Sequence, residues 1–593
     1  YYEVMLHYPE CGTNYYFTVT GAETDEGKRT AVYNKRGVMD GVQDYYNFNF
    51  YPEFKTPDWA KGAVFYQIFT DRFCNGDPTN DVLDREYSYV KLHSEQEKDW
   101  QAYPHDMDVC HFYGGDLQGI MHKLDYLQDL GIEVLYLNPI FVSPSNHKYD
   151  IQDYDYIDPH FGRIVDDAGE VLEKSDMDNC HASRYIRRVT NKKNLEASNE
   201  LFAQVVAEAH RRGMRVILDG VFNHCGSFNK WLDREKIYEK RGGYEKGAFV
   251  CAESPYRDFF SFRNPEGWPD NDSYEGWWNH DTLPKLNYEG SETLYQYILD
   301  IAKKWLSPPY CVDGWRLDVA ADLGHSPEMN HRFWRDFRRV VKEANPDALI
   351  LAEHYGDASS WLKGDQWDTV MNYDAFMEPV SWFLTGLEKH SDRFEPHLFR
   401  NSQAFMSTML YKMSRMQTPS MMAAMNELSN HDHSRFLTRT NLKVGRLHTA
   451  GAAAASEEIN YGIFRSAVVI QMTWPGAPTI YYGDEAGVCG WTDPDSRRTF
   501  PWGKENYELT EFHRYLAGIR NQNRAFSTGA FKWLMAENGV IAYGRFNETQ
   551  RGVVVVNSES YAQKIRVPVW EAEVAGDVMV RVMETERDRY NAG

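Results

Sequence analysis

Three acidic residues stand at the ends of apolar segments, where a charged side chain is costly to bury unless it is paired or used. Arg316 and Asp318 lie two residues apart in GWRLDVA, so in a β-strand they share one face. A neighbouring arginine favours the ionised form of an aspartate. Glu353 in LAEH and Asp432 in SNHD follow two further apolar segments. Carboxylates grouped around one bond are typical of glycoside hydrolysis, so this chemistry is the first hypothesis.

Eight short apolar segments, separated mostly by helical patterns, are predicted to be the strands that position these acids. Eight parallel strands alternating with helices close as a TIM (β/α)8 barrel, whose chemistry lies at the C-terminal strand ends. Because the three acids end the fourth, fifth and seventh strands, we expect them to meet in one pocket. The segments are AVFYQIFT, EVLYLNP, MRVILDG, VDGWRLD, ALILAEH, WDTVMNY, AMNELSNHD and TIYYGDE.

The barrel pattern is flanked by strand-rich regions and interrupted once. Residues 1–56 alternate aromatic strands with turns, which predicts part of an N-terminal β-sandwich. Residues 528–593 (KWLMAENGVIAYGRF, GVVVVNSES, QKIRVPVW) predict a C-terminal β-sandwich. Residues 225–289 are too long for an ordinary crossover, which indicates an inserted domain after the third strand. The barrel is then predicted to comprise 57–224 and 290–527.

Composition limits the partners. The net charge of −23 argues against nucleic acid and anionic membranes. No apolar run reaches the length of about 18 residues that a bilayer span needs. The eight cysteines are scattered without a CxxC pair, which favours a reducing compartment. We therefore interpret the protein as cytoplasmic. A secreted or cell-surface location is the alternative, because the first residues, YYEVMLHYPE, read as the middle of a strand.

The strand-end motifs resemble those of a known enzyme family. DGVFNH, GWRLDVA, LAEH and SNHD look like the four short motifs of the α-amylase family of glycoside hydrolases, in their usual order. SNHKYDIQDYDYIDPHFG and LPKLN are similar to the versions in its neopullulanase, cyclomaltodextrinase and maltogenic amylase group. The resemblance implies a retaining hydrolase of α-1,4 bonds in maltodextrins, cyclodextrins, pullulan or starch. A 4-α-glucanotransferase is the alternative; a non-catalytic glycan-binding barrel is a second, against which the three retained carboxylates argue.

The same resemblance implies roles for individual residues. Asp318 would be the nucleophile, Glu353 the general acid/base and Asp432 the stabiliser of the transition state. Arg316 would orient Asp318 and keep it ionised. The remaining residues that the family's motifs imply for sugar binding are Tyr149, His224, His431, Asp493 and Arg497.

Two tryptophans in the long loop have two readings. Trp277 and Trp278 precede LPKLN, and aromatic rings stack on the apolar faces of sugars. Large rings in a small excursion must also pack somewhere, so a core belonging to the loop itself is an equal alternative.

A group of hard oxygen donors suits calcium (Ca2+) better than a transition metal. An Asx-rich turn would look the same locally, and the resemblance favours calcium as a structural ion away from the chemistry. The donors are Asn75, Asp77, Asn80, Asp81, the Gly114 carbonyl and Asp116.

The N-terminal region bears on substrate size. In LPKLN-type relatives a sandwich domain narrows the cleft and is often supplied by a partner subunit, which leaves a homodimer open here. A roofed cleft restricts long chains more than short oligomers. We therefore expect maltodextrins or cyclodextrins to be better substrates than starch.

Overall fold

Eight parallel strands form a barrel at the centre of the molecule. This computed structural model describes residues 12–21, 29–52, 54–239, 242–576 and 578–593. The strands of the barrel are β1 (Phe65–Ile68), β2 (Val134–Leu137), β3 (Arg215–Gly220), β4 (Gly314–Leu317), β5 (Leu349–Ala352), β6 (Thr369–Val370), β7 (Met425–Glu427) and β8 (Ala477–Tyr481). In the sheet the strand order is β6-β5-β4-β3-β2-β1-β8-β7, and a parallel bridge from Met371 to Met425 joins the two ends. The predicted TIM barrel is confirmed.

Helices surround this barrel. In α1 the side chains of Leu117, Ile120, Leu124 and Leu127 are buried, and the helix ends at Gly131, whose φ of 91° is left-handed. The segment 353–368, which is fully described, joins β5 to β6 through turns instead of a helix. The main helices are α1 (Leu117–Leu130), α2 (Lys192–Arg211), α3 (Glu292–Leu306), α4 (Pro327–Ala344), α5 (Glu378–Thr385), α6 (Ser402–Ser414), α7 (Tyr461–Thr473) and α8 (Tyr507–Gln522).

Small antiparallel sheets flank the barrel. In the N-terminal region the strands are Thr13–Tyr15, Phe17–Thr20, Thr30–Asn34, Gly37–Met39 and Phe48–Phe50. YYEVMLHYPE lies outside the described residues. In the C-terminal region a three-stranded sheet and a hairpin comprise Ala530–Glu537, Val540–Phe546, Arg551–Asn557, Met583–Thr585 and Tyr590–Ala592.

One predicted C-terminal strand is wrong. QKIRVPVW carries no strand assignment, and a 3-10 turn, Val569–Ala572, starts near its end. Pro568 has no N–H to donate to a ladder, which accounts for the missing pairing.

The long loop after β3 returns to the end of that strand through an isolated antiparallel bridge and is braced internally by further ones. His224 pairs with Lys285, and Gly276 pairs with Pro284. Within the described part of 225–289 the regular elements are two 3-10 turns, Arg257–Phe259 and Trp277–Asn279. The loop thereby carries Trp277, Trp278 and Lys285 to the C-terminal face of the barrel. No described helix combines the length and the apolar character needed to cross a bilayer.

Candidate active site

A cleft of about 450 Å³ opens at the C-terminal ends of the strands. Residues from the ends of β4, β5 and β7 meet there, together with side chains from the long loop. The three predicted catalytic acids are therefore neighbours in space. Its lining includes His147, Tyr149, His224, Trp277, Trp278, Leu283, Asp318, Asp322, Glu353, His354, Tyr355, His431 and Asp432.

Arg316 is the electrostatic centre of the cleft floor. Its Nη1 donates to Asp219 Oδ1 and to Asp318 Oδ1, both at 2.9 Å, and its Nη2 lies 3.0 Å from Glu353 Oε2. Parallel pairing of β3 with β4 places Asp219 opposite Arg316. The guanidinium is fully buried, so its charge acts on the three carboxyls with little screening by water.

The presence of three carboxyls around one guanidinium bears on the expected ionisation of Asp318. Burial and the Glu353 carboxylate raise the pKa of Asp318 well above its usual range, while Arg316 opposes the rise. Burial also raises the pKa of Asp219. Arg316 pairs with Asp318 as expected, but the guanidinium is shared among three carboxyls, and its lowering effect on the Asp318 pKa is outweighed by burial and by Glu353.

Glu353 is oriented by a strained turn directly after the nucleophile. The Val319 N–H donates to Glu353 Oε2 at 2.9 Å. Val319 has φ 36° and ψ 45°, the left-handed region that a β-branched residue rarely adopts. Such strain costs about 1–3 kcal/mol and concentrates at functional sites. Here it aims a backbone donor at one oxygen of Glu353, a residue that lines the cleft.

Asp432 borders the opposite side of the cleft with the predicted pair Asp493 and Arg497. Arg497 Nη2 lies 3.4 Å from both Asp432 Oδ1 and Asp493 Oδ2, and its Nε donates to the His431 carbonyl at 2.8 Å. Asp432 keeps 35% of its side chain exposed. It is therefore a fixed negative group that a sugar can approach.

Tyr149 and His431 form one hydrogen-bonded layer on the floor. Tyr149 Oη donates to Asp219 Oδ2 at 2.8 Å and lies 2.8 Å from His431 Nε2. Gln67 Nε2 donates to His431 Nδ1 at 2.9 Å, so the proton of this imidazole is assigned to Nε2. Burial lowers the pKa of His431 well below its usual range, which keeps the ring neutral.

His224 offers a hydrogen-bond donor that no protein group uses. Asn223 Nδ2 donates to its Nδ1 at 3.1 Å, which assigns the proton to Nε2, and in the described chain that buried Nε2 has no partner. Burial and the neighbouring Lys285 lower the His224 pKa to about 3. Lys285 Nζ donates to Asn223 Oδ1 at 2.6 Å. A neutral N–H at a residue lining the cleft suits a sugar hydroxyl.

The two tryptophans of the long loop differ in environment. Trp278 is 75% exposed and stacks on Trp277 with ring centroids 5.0 Å apart. Trp277 stacks in turn on His224 at 4.9 Å, and its Nε1 donates to Asp322 Oδ2 at 2.9 Å. The alternative of a loop core is wrong for Trp278, which presents its ring to solvent beside the cleft.

The predicted calcium ligands come together, although some of them already have protein partners. Asp116 is the N-cap of α1 and accepts from the Gly119 N–H at 2.6 Å and from the Asp77 N–H at 2.8 Å. A Cβ on Gly114 would meet Asp81 Oδ1 at 2.4 Å and Asn75 Nδ2 at 2.5 Å. The Asx-rich turn, which was the alternative to a calcium site, is therefore present in part, because Asp116 accepts backbone N–H groups as such a turn residue does.

Two oxygens of this cluster fit a hard cation. In the described chain Asn80 Oδ1 is buried and has no hydrogen-bond partner. Burial raises the pKa of Asp81 to about 7, although Asn75 and Gln96 donate hydrogen bonds to its carboxylate, so a bound cation would offset the cost of burying this charge. No group of three His, Cys, Asp or Glu side chains in the described ranges is arranged to hold a metal ion. A site here would therefore depend on amide and carbonyl oxygens as well, as calcium permits.

Several supporting residues were not predicted from the sequence. His147 lines the cleft, and its Nδ1 accepts the Tyr149 N–H at 3.1 Å. Its place in SNHKYD, two residues before Tyr149, was a usable signal. Gln67 was visible as the one amide in the apolar strand AVFYQIFT, where a polar residue needs a partner. Lys285 carried no such signal, because only the folded loop brings it to Asn223.

Comparison with known proteins agrees with this geometry. Residues 67–181 and 197–576 match the family model described as "Alpha amylase, catalytic domain". The chain is 36% identical to Neopullulanase 2 of Thermoactinomyces vulgaris over 587 residues, which cover 96% of this chain and 82% of that protein. It is 32% identical to a cyclomaltodextrinase of Geobacillus thermopakistaniensis (strain MAS1) over 579 residues, which cover 95% and 80%. Among solved structures, the debranching enzyme from Nostoc punctiforme aligns with a TM-score of 0.65 at 29% identity, over 91% of this chain and 97% of that one.

The residues that match the family model include Asp318, Glu353 and Asp432. The two curated relatives are named as a neopullulanase and a cyclomaltodextrinase, the group that the SNHKYD and LPKLN motifs suggested. The resemblance found in the motifs is confirmed, and the chain belongs to the α-amylase family of glycoside hydrolases.

Proposed function

We propose that this protein is a retaining α-glucan hydrolase that cleaves α-1,4-glucosidic bonds by double displacement. The observation that carries the proposal is the arrangement of Asp318 and Glu353 on one buried guanidinium, with Asp432 across the cleft. A carboxylate pair and a third fixed anion are the equipment of this reaction.

The reaction has two steps. Asp318 attacks the anomeric carbon while Glu353 protonates the leaving glycosidic oxygen, and a glycosyl ester forms. Glu353 then removes a proton from water, which hydrolyses the ester, so the two inversions restore the α configuration. Asp432 stabilises the positive charge that develops on the sugar. Tyr149 lies under this sugar, the Nε2–H of His224 faces its hydroxyls, and His431, whose Nε2 lies 2.8 Å from Tyr149 Oη, orients that ring.

One assay tests the activity itself. The purified protein is incubated with maltodextrin, and reducing ends and the anomeric form of the first product are followed by NMR. We expect α products that mutarotate only later. Initial β products would contradict the double displacement. Longer oligosaccharides appearing in place of reducing ends would move the protein to the 4-α-glucanotransferase alternative, for which the exposed ring of Trp278 offers an acceptor platform.

Substrate size is a second prediction. The N-terminal sheets contact α6, where Lys35 Nζ donates to the Ser414 carbonyl at 3.0 Å and Tyr45 packs on Tyr411. Tyr411 and His354 line one cavity, and His354 also lines the cleft, so this domain lies toward one end of the cleft. We expect kcat/KM per bond to be higher on maltodextrins or cyclodextrins than on soluble starch, with maltose or panose as main small products. A measured preference for intact starch would contradict this.

We also propose that Asn75, Asp77, Asn80, Asp81, Asp116 and the Gly114 carbonyl bind calcium as a structural ion. The support is Asn80 Oδ1, which has no hydrogen-bond partner among the described residues, and the buried Asp81 carboxylate, whose pKa is raised by burial. An ion that binds only the folded state stabilises it by RT ln(1 + [L]/Kd), so calcium at about 100 Kd should add about 2.7 kcal/mol.

Melting curves test this prediction. Calcium should raise Tm, EDTA should lower it, and Asp81→Asn should remove the difference. Asp166→Asn, on an exposed ion pair with Arg187, is the matched control and should keep it. A Tm that responds to calcium equally in wild type and Asp81→Asn would contradict the site.

The compartment and the oligomeric state remain proposals. Six of the described cysteines, Cys74, Cys110, Cys225, Cys251, Cys311 and Cys489, are free thiols, which supports a reducing, cytoplasmic compartment. A homodimer is proposed from the kinship with LPKLN-type proteins, and light scattering of the purified protein decides between it and a monomer.

A further inference from the structure

The last residue of β7 is a buried acid to which the reaction above assigns no role. Glu427 is 1% exposed and lies five residues before Asp432. Its Oε2 accepts a hydrogen bond from Asn430 Nδ2 at 3.0 Å, and in the described chain its Oε1 has no partner. Burying a carboxyl group beneath the cleft floor costs free energy, so we expect a buried acid at this position to have a function.

Asn430 connects this acid to the catalytic loop. Its Oδ1 accepts the backbone N–H groups of both Asp432 and His433 at 3.0 Å. Its Nδ2 donates to Glu427 and also lies 3.3 Å from Tyr373 Oη. Two backbone donors on one side require the oxygen there, so the orientation of the amide is determined by the network. Glu427 is the stronger acceptor on the other side and holds that orientation.

Without Glu427 the Asn430 amide would lose its main acceptor. The remaining contact, to Tyr373 Oη at 3.3 Å, is long, and the amide could rotate or shift. The Asp432 N–H would then lose its acceptor in a buried loop. Reacting groups displaced by about 1 Å can lower a rate about 100-fold.

We propose that Glu427 is a positioning residue for the proposed glucan hydrolysis: it orients Asn430, and Asn430 holds the Asp432 backbone so that the Asp432 carboxylate faces the reacting sugar. This inference rests on the proposed function. It adds a residue that touches neither substrate nor the reacting atoms and acts through Asn430.

The electrostatic surroundings agree with this role. Burial raises the pKa of Glu427 to about 8, with Glu353 and Asp432 adding to the rise and Arg316 and Asn430 opposing it. At neutral pH the side chain is therefore largely a neutral acid whose Oε2 accepts from Asn430. A glutamine has the same shape and can present its Oε1 to Asn430 in the same way.

The first experiment compares kcat and KM on maltodextrin at 25 °C, with Tm measured for every variant. Glu427→Leu removes the acceptor, and we expect kcat to fall about 10- to 100-fold with KM within about threefold. Glu427→Gln should stay within about threefold of wild type. The matched control is Glu485→Leu. Glu485 is likewise buried, after β8, and accepts from Tyr66 and Tyr126 instead of from the catalytic loop. It should lower Tm without lowering kcat.

A reciprocal exchange keeps the inference testable if Glu427→Leu does not fold. Assayed at about pH 9, above the Glu427 pKa of about 8, Asn430→Asp places two carboxylates face to face and should lower kcat as Glu427→Leu does. Combining it with Glu427→Gln restores a hydrogen bond with donor and acceptor exchanged, while the other oxygen of the new carboxylate still accepts both backbone N–H groups. We expect the double variant to recover at least about tenfold in kcat over Asn430→Asp.

The outcomes separate the two proposals. A wild type that does not cleave maltodextrin refutes the proposed function. An active wild type whose Glu427→Leu variant loses only the Tm lost by Glu485→Leu, or a double variant no better than Asn430→Asp, refutes the positioning role alone.

Discussion

Replacing Asp318 by asparagine should abolish turnover of maltodextrin and leave the fold intact. An amide cannot form the glycosyl ester, so we expect kcat to fall by more than about 10⁴-fold. The asparagine oxygen can still accept from Arg316 Nη1, which now donates to Asp318 Oδ1 at 2.9 Å, so the packing around the guanidinium should persist. Steady-state kinetics and a melting curve measure the two effects.

Asp313 supplies the matched control for that experiment. It lies just before β4, at the opposite end of the same strand, and its carboxylate accepts from Arg215 Nη1 and the Val216 N–H at 2.8 Å. Asp313→Asn removes a buried, ion-paired aspartate without touching the cleft. It should lower Tm and leave kcat within about twofold. If Asp318→Asn retains more than a few per cent of kcat, Asp318 is not the nucleophile.

Glu353→Gln should affect substrates differently according to their leaving group. A glutamine cannot give a proton to the glycosidic oxygen, so kcat on maltodextrin should fall about 10²- to 10⁴-fold. With α-maltosyl fluoride the departing fluoride needs no proton, so glycosylation should continue and the ester should accumulate. Glutamine Oε1 can still accept the Val319 N–H that now bonds Glu353 Oε2 at 2.9 Å.

Rapid quench or mass spectrometry of the Glu353→Gln protein detects that ester on Asp318. The same Asp313→Asn variant serves as the control, since it should show neither the leaving-group dependence nor the trapped ester. An equal loss on maltodextrin and on the fluoride would assign the acid role to another residue.

The barrel could be predicted from the sequence because each strand is a short apolar run that ends in a polar residue. Seven of the eight strands lie within the predicted segments, β8 starts two residues before its segment at Ala477, and α1 ends at the predicted Gly131. The failure at 563–570 has the same origin, since valines favoured a strand there and Pro568 excluded the ladder. Local pattern thus predicts elements well where no special residue intervenes.

Only the site residues that belong to short sequence motifs could be predicted. Asp318, Glu353 and Asp432 each stand in a short motif, and the barrel brings them together. The pKa direction of Asp318 was not predictable, because it depends on Asp219 and Glu353 approaching the same guanidinium from other strands. That Asp116 caps α1 was likewise not predictable, because it depends on the folded start of that helix. Such properties belong to contacts between distant segments.

The crowding of three carboxyls around Arg316 has a consequence for inhibitors and for buffers. A ligand that places an ammonium group near the cleaved bond would add a second positive charge beside the carboxyls that now share Arg316. Polyhydroxylated amines combine such a charge with hydroxyls that His224 and Tyr149 can bind. Tris is one of them, so we expect a buffer of this kind to compete with the glucan substrate for the cleft.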